Sequence, residues 1–198
     1  MRCDLSHRPK ILAISGSTRS QSSNLQLIQA IALLGRDRFD LTVAENVKNI
    51  PQFDPDLLPE RLPPEVLTFR KALAAADGVL ICTPEYAAGV PGTLKNAIDW
   101  TVSSMDFSQK PVALITASTS GQLAHQSLLG TLLILESKIA PECQLVISFI
   151  KSKVNQNSEI TDAIALTKVQ VLIRTLTIAV LNPEQLSYLP LPLLDFER

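Results

Sequence analysis

Short apolar runs alternate with longer segments of helical spacing along most of this chain, and that alternation limits what it can fold into. The runs are residues 10–15 (KILAIS), 39–44 (FDLTVA), 77–82 (DGVLIC), 110–117 (KPVALITA) and 144–148 (QLVIS). Where apolar residues follow one another without alternating with polar ones, a strand covered on both faces is expected. Between them, Ser22 and Ser23 are placed to cap a helix that carries Leu25, Ile28, Ile31 and Ala32 on one face until Gly35 interrupts it. Pro63 and Pro64 suit the start of a second helix with Val66, Phe69, Leu73 and Ala76 inward. A third is expected over 91–105, with Leu94, Ala97, Ile98, Thr101 and Met105 inward. A fourth is expected over 122–137, and a fifth over 159–180 with Ala165, Val169, Leu172 and Leu176 on one side. Pro51, Pro55, Pro59, Pro63 and Pro64 make residues 49–64 largely a connecting loop.

Five strands alternating with five helices imply an α/β, doubly wound three-layer sandwich with a parallel sheet and right-handed crossovers. At 198 residues one core is expected, over residues 1–181. The tail 182–198 carries Pro183, Pro190 and Pro192 among leucines, so neither regular helix nor central strand suits it, and it is expected to strap a neighbouring surface.

The chain is 46% hydrophobic and 19% charged with a formal net charge of -1, enough apolar material for a sizeable interior and no excess of positive charge. A nucleic-acid partner is excluded on that ground. Cys3, Cys82 and Cys143 have no C-x-x-C spacing and are odd in number, so neither a disulfide framework nor a metal site is expected. A reducing cytoplasm suits them. The opening residues hold no apolar leader core, and no run approaches the roughly 18 residues that span a bilayer, so no membrane partner is expected.

Three loops carry the chemistry. After the first run comes Gly16-Ser17-Thr18-Arg19-Ser20-Gln21-Ser22-Ser23-Asn24. Hydroxyls, a guanidinium, an amide and the free N–H groups of a helix start suit a phosphate monoester. Neither G-x-G-x-x-G nor G-x-x-x-x-G-K-[ST] is present, and a Ser-rich loop that merely caps a helix has the same composition. After the third run, prolines and glycines in Thr83-Pro84-Glu85-Tyr86-Ala87-Ala88-Gly89-Val90-Pro91-Gly92 stiffen a turn while letting backbone amides approach a flat ligand. Lys95 and Asp99 are one helical turn apart and can pair. Ser118-Thr119-Ser120-Gly121 follows the fourth run. In a sheet ordered 2-1-3-4-5, strands 1, 3 and 4 are neighbours, and these three loops line one crevice.

G-S-T-R-S-Q-S-S-N followed by P-E-Y-A-A-G-V-P-G-T-L-K-N-A-I-D-W resembles the NADPH-dependent FMN reductase family over about residues 10–120. The resemblance implies a flavodoxin-like fold, bound FMN, NADPH or NADH as donor, and a homodimer or homotetramer that reduces a small acceptor such as a quinone, flavin, azo dye or metal ion. It implies that Ser17, Arg19, Ser22 and Asn24 hold the FMN phosphate. Pro84, Glu85, Tyr86 and Ala87 would border the isoalloxazine ring, with Ser118 and Gly121 beside the ribityl chain or ring. Ala87 stands where the family commonly has Asn and Gly89 where it commonly has Ser, and small residues at 87–89 suggest a roomy crevice. No catalytic side chain is expected, because the flavin carries the hydride. His125 is read as a helix or interface residue, Cys82 as core, and Trp100 as core or a subunit contact, exposed if the Leu94/Ile98 side of its helix faces the sheet. A flavodoxin-type electron carrier and a non-enzymatic flavin-binding module remain open as alternatives.

Overall fold

The structure, a computed structural model, describes residues 8–19 and 21–192; Cys3 and the tail beyond Pro192 lie outside them. Strands β1 (Lys10–Ser15), β2 (Asp40–Val43), β3 (Gly78–Thr83), β4 (Val112–Ser118) and β5 (Gln144–Ser148) form one sheet in the order β2-β1-β3-β4-β5. Every pairing is parallel, with Ile11 opposite Gly78, Val79 opposite Val112 and Leu114 opposite Gln144. β3 is buried along its whole length and β4 nearly so, which is why their sequences are apolar without alternation.

Helices α1 (Ser23–Gly35), α2 (Pro64–Ala75), α3 (Gly92–Asp99), α4 (Gln122–Ile134) and α5 (Ala163–Leu181) connect and cover these strands. Right-handed crossovers that run one way from β1 to β2 and the other way from β2 to β5 put α1 on one face and α2, α3 and α4 on the other. α5 returns to pack beside α1. The fold is the doubly wound, flavodoxin-like α/β sandwich that the alternation implies.

Several boundaries differ from the sequence expectations, each for a local reason. α1 buries Leu27, Ile28, Ala30 and Ile31, while Leu25 and Ala32 are half-exposed, because the helix is covered by α5 as well as by the sheet. α3 stops at Asp99, short of residue 105: Trp100 turns into the core, and the Thr101 hydroxyl donates to the Ile98 carbonyl at 2.7 Å. Met105, expected inward, is exposed at φ 55°. α4 ends at Ile134, short of residue 137, in a Schellman motif, with Glu136 left-handed and the Ser137 N–H donating to the Leu132 carbonyl. α5 starts at Ala163, not at 159, where the Asp162 carboxylate accepts from the Ala165 N–H at 2.7 Å.

α5 also corrects the expectation that no segment matches a bilayer span. Over 19 residues it is long and apolar enough by composition, with a mean hydropathy of 1.7, because Lys168 and Arg174 interrupt the run without lowering its average far. Here its Val169, Leu172, Ile173 and Leu176 are buried in the core shared with the sheet and α1. The described part of the tail, 182–192, straps its own chain: the Leu189 N–H donates to the Ile139 carbonyl at 2.8 Å, and Lys138 Nζ lies 5.6 Å from the centre of the Tyr188 ring.

Trp100 is not exposed by burial of Leu94 and Ile98, since all three are in the core. Its indole N–H donates to the Pro51 carbonyl at 2.9 Å, and its ring meets Phe53 edge-on at 5.1 Å. One turn earlier, Asn96 donates to the same carbonyl at 2.9 Å and accepts from the Phe53 N–H at 2.7 Å. α3 thereby clasps the proline-rich loop with two side chains spaced i,i+4.

Candidate functional site

At the carboxyl ends of β1, β3, β4 and β5 lies a crevice of about 480 Å³. Its volume falls in the range of small-molecule sites, roughly 300–1,000 Å³. The first wall is the loop after β1. Gly16 donates its N–H to the Cys82 carbonyl at 2.8 Å, and a Cβ there would stand 2.3 Å from Thr83 Oγ1, so this close exit from the sheet requires glycine. Ser22 is the N-cap of α1, its hydroxyl accepting from the Asn24 N–H at 3.2 Å. Other first-turn N–H groups have no acceptor within the helix, and the helix start lines the crevice.

Ser17, Arg19, Gln21, Ser22, Ser23 and Asn24 all line the crevice from this loop. Arg19 is exposed and its guanidinium has no partner among the described residues. Asn24 behaves differently. It is buried, its amide donates to the Ala117 carbonyl at 3.0 Å, and its Oδ1 accepts from the Cys82 thiol at 3.4 Å. Its side chain stitches α1 to β3 and β4.

The second wall is the loop after β3. Pro84, Glu85 and Tyr86 line the crevice, and Tyr86 is half-exposed. Tyr86 and Gly89 exchange N–H to carbonyl bonds of 2.8 and 2.9 Å around Ala87 and Ala88, at φ 48° and 63°. This is a two-residue turn with both central residues left-handed. Ala87 and Ala88 are therefore at the turn's tip, outside the lining, and do not enlarge the crevice. Glu85 reaches across to α4, where its carboxylate accepts from the Ala124 N–H at 2.9 Å. It supplies the cap that Gly121, the N-cap residue at φ 107°, lacks a side chain to provide. Ser118 and Thr119 line the crevice from the β4 loop, whereas Gly121 is buried beneath it against Thr116 and Val146.

A fourth wall was missed by the sequence reading. Phe149, Ile150, Lys151 and Ser152, after β5, border the same crevice. Phe149 is left-handed at φ 55° and 66% exposed, and its N–H donates to the Thr119 carbonyl at 3.3 Å. No motif marks S-F-I-K-S; its position at the sheet's β5 edge beside β4 was the available signal.

The lining holds Arg19 and Lys151 against one carboxylate, Glu85, which is engaged with α4. It contains neither cysteine nor histidine among the described residues. Burial holds the Cys82 thiol far above its ordinary pKa, so it stays protonated and donates to Asn24. His125 lies away from the crevice between Thr116 Oγ1 at 3.0 Å and Gln144 Oε1 at 3.2 Å. Gln144 Oε1 can only accept, so this bond assigns the proton to Nε2 and leaves Nδ1 to accept from Thr116. Burial lowers its pKa, the Gln144 bond opposing the shift. The donor set, the unpartnered guanidinium and the ring-bearing second and fourth walls fit a phosphorylated planar cofactor such as FMN.

The NADPH-dependent FMN reductase family model matches residues 9–152. An NAD(P)H-dependent FMN reductase of Pseudomonas aeruginosa is 40% identical over 111 residues, which are 55% of this chain and 60% of that protein. A 2-hydroxy-1,4-benzoquinone reductase of a Burkholderia species is 31% identical over 159 residues, covering 76% of this chain and 85% of that one. In structure, the flavoenzyme NAD(P)H:(acceptor) oxidoreductase FerB of Paracoccus denitrificans superposes with a TM-score of 0.79 at 23% identity, covering 90% of this chain and all of that one, a likeness of fold. With its sandwich and a family match over most of its length, this chain belongs to the NADPH-dependent FMN reductase family, whose members are oxidoreductases working with FMN and NAD(P)H.

Proposed function

We propose that this chain holds FMN in the crevice and passes electrons from NADPH or NADH to a small quinone. The observation that carries the reading is the meeting, in one crevice, of a phosphate-type loop on β1 with a wall of Pro84, Glu85 and Tyr86 on β3. Bound FMN supplies the relay of two electrons between nicotinamide and acceptor. The chain's own residues bind and orient. Ser17, Ser22 and Arg19, with the first-turn N–H groups of α1, hold the phosphate. Asn24 keeps that helix start fixed to β3 and β4. Pro84, Glu85 and Tyr86, on the second wall, would border the ring, Ser118 would lie beside the ribityl chain or ring, and Ala87 and Gly121 would act through the backbone shape they permit. The Glu85 bond to α4 ties the loop after β3 to the helix that follows the β4 loop.

The quinone preference draws on the Burkholderia relative's substrate. The positive lining disfavours an electron carrier that docks through an acidic surface. Exposed Val102, Met105, Leu123 and Ile134 support assembly as a homodimer or homotetramer, and the two buried free thiols suit a cytoplasmic setting. Steady-state oxidation of NADPH by a benzoquinone tests the activity. Donor and acceptor that use one ring face in turn give parallel double-reciprocal plots, whereas intersecting plots contradict that shared face.

A further inference from the structure

We propose that Lys151, on the loop between β5 and α5, is a second cation for the cofactor phosphate, so that charges from two separate loops make the crevice select FMN over riboflavin. This rests on the FMN reading. A phosphate monoester carries a charge of about -1.5 to -2 at neutral pH, and Arg19 neutralises one unit. Among the residues lining the crevice, Lys151 is the one other cation, and it makes no ion pair or hydrogen bond among the described residues. Glu85, the carboxylate in the lining, accepts from the α4 N-terminus and makes no ion pair with Lys151 among the described residues.

The loop is built to hold that position. Left-handed Phe149 turns the chain at the end of β5, and the Ser152 hydroxyl and N–H both return to the Phe149 carbonyl, at 2.9 and 3.0 Å. Ile150 and Val154 are buried on either side of Lys151. Further on, the Ser158 hydroxyl donates to Gln29 Oε1 at 2.7 Å, tying the same loop to the middle of α1, the helix whose start lines the crevice. A lysine on a short, anchored turn that lines the same crevice as that helix start adds charge with little reorganisation. Lys153, two residues on, is outside the lining and serves as a control of equal charge.

Quenching of flavin fluorescence in titrations of the full chain, freed of flavin, tests this with FMN and riboflavin in parallel. Lys151→Ala is expected to raise the Kd for FMN about fivefold or more while leaving riboflavin within about twofold, on the scale of one charge-assisted contact at a partly exposed site. Lys151→Arg is expected to keep the FMN preference and Lys153→Ala to leave it unchanged. An FMN-to-riboflavin ratio that ignores Lys151→Ala, or that falls equally with Lys153→Ala, overturns the proposal while leaving the FMN reading standing. So does an increase in the KM for NADPH with that ratio unchanged, which would assign Lys151 to the donor nucleotide. Failure of the parent protein to bind either flavin overturns both.

Discussion

Ala87 and Ala88 hold a backbone conformation in which a Cβ is crowded by its own peptide, a cost of roughly 1–2 kcal/mol per residue. Asn tolerates this region and Gly is free in it, which makes Asn-Gly the favoured pair for such a turn. The double variant Ala87→Asn, Ala88→Gly is expected to gain about 1 kcal/mol and raise Tm by a few degrees. A lower Tm in differential scanning calorimetry would contradict the strain. From sequence alone these alanines read as room beside a ligand, because nothing local distinguishes a small residue on a wall from one at the tip of a turn. His125 is a second residue whose role depends on its surroundings. Burial holds its folded pKa below 6.5, so the unfolded chain takes up a proton first as pH falls. Its contribution is fully present above about pH 6.5 and is lost from there down to the lowered folded value. Urea midpoints compared at about pH 7.5 and about pH 5.5 should fall with acid in the parent and fall less in His125→Gln. Equal slopes would contradict the assignment.

Elements join the site through contacts distant in sequence. The K-N-A-I-D-W segment was legible as a family motif, but what Asn96 and Trp100 do was not, since their partners in the loop at 50–53 lie more than 40 residues away. Asn96→Ala removes bonds to the Ile50 and Pro51 carbonyls and leaves the Phe53 N–H without its acceptor. The expected loss is about 2–4 kcal/mol by urea denaturation, several bonds at the edge of the core. Lys95→Ala breaks only a surface i,i+4 pair of 2.6 Å and is expected to cost no more than about 0.5 kcal/mol. Similar losses in the two variants would contradict the clasp. The β5 loop was illegible for the opposite reason: it lies in the right place by topology, yet Phe149 and Lys151 carry no recognisable spacing. Asn24 was legible as a site residue but not as a brace, because its partners, Cys82 and Ala117, belong to other strands.

For the whole molecule, alternation and crossover handedness carried most of the fold. Buried parallel strands must be continuously apolar, and right-handed connections leave few orders for five of them. That order brings the carboxyl ends of β1, β3, β4 and β5 to one crevice, with the start of α1 in its lining and exposed rings on two walls. The central claim is that this crevice makes a bound flavin reducible by a nicotinamide nucleotide. Its most direct test is anaerobic rapid mixing of the FMN-loaded protein with NADPH or NADH while the flavin's visible absorbance is followed. Loss of that absorbance at a rate no slower than turnover, and its return on adding a benzoquinone, is the expected result. An FMN-loaded protein that stays oxidised with both nucleotides would contradict the account.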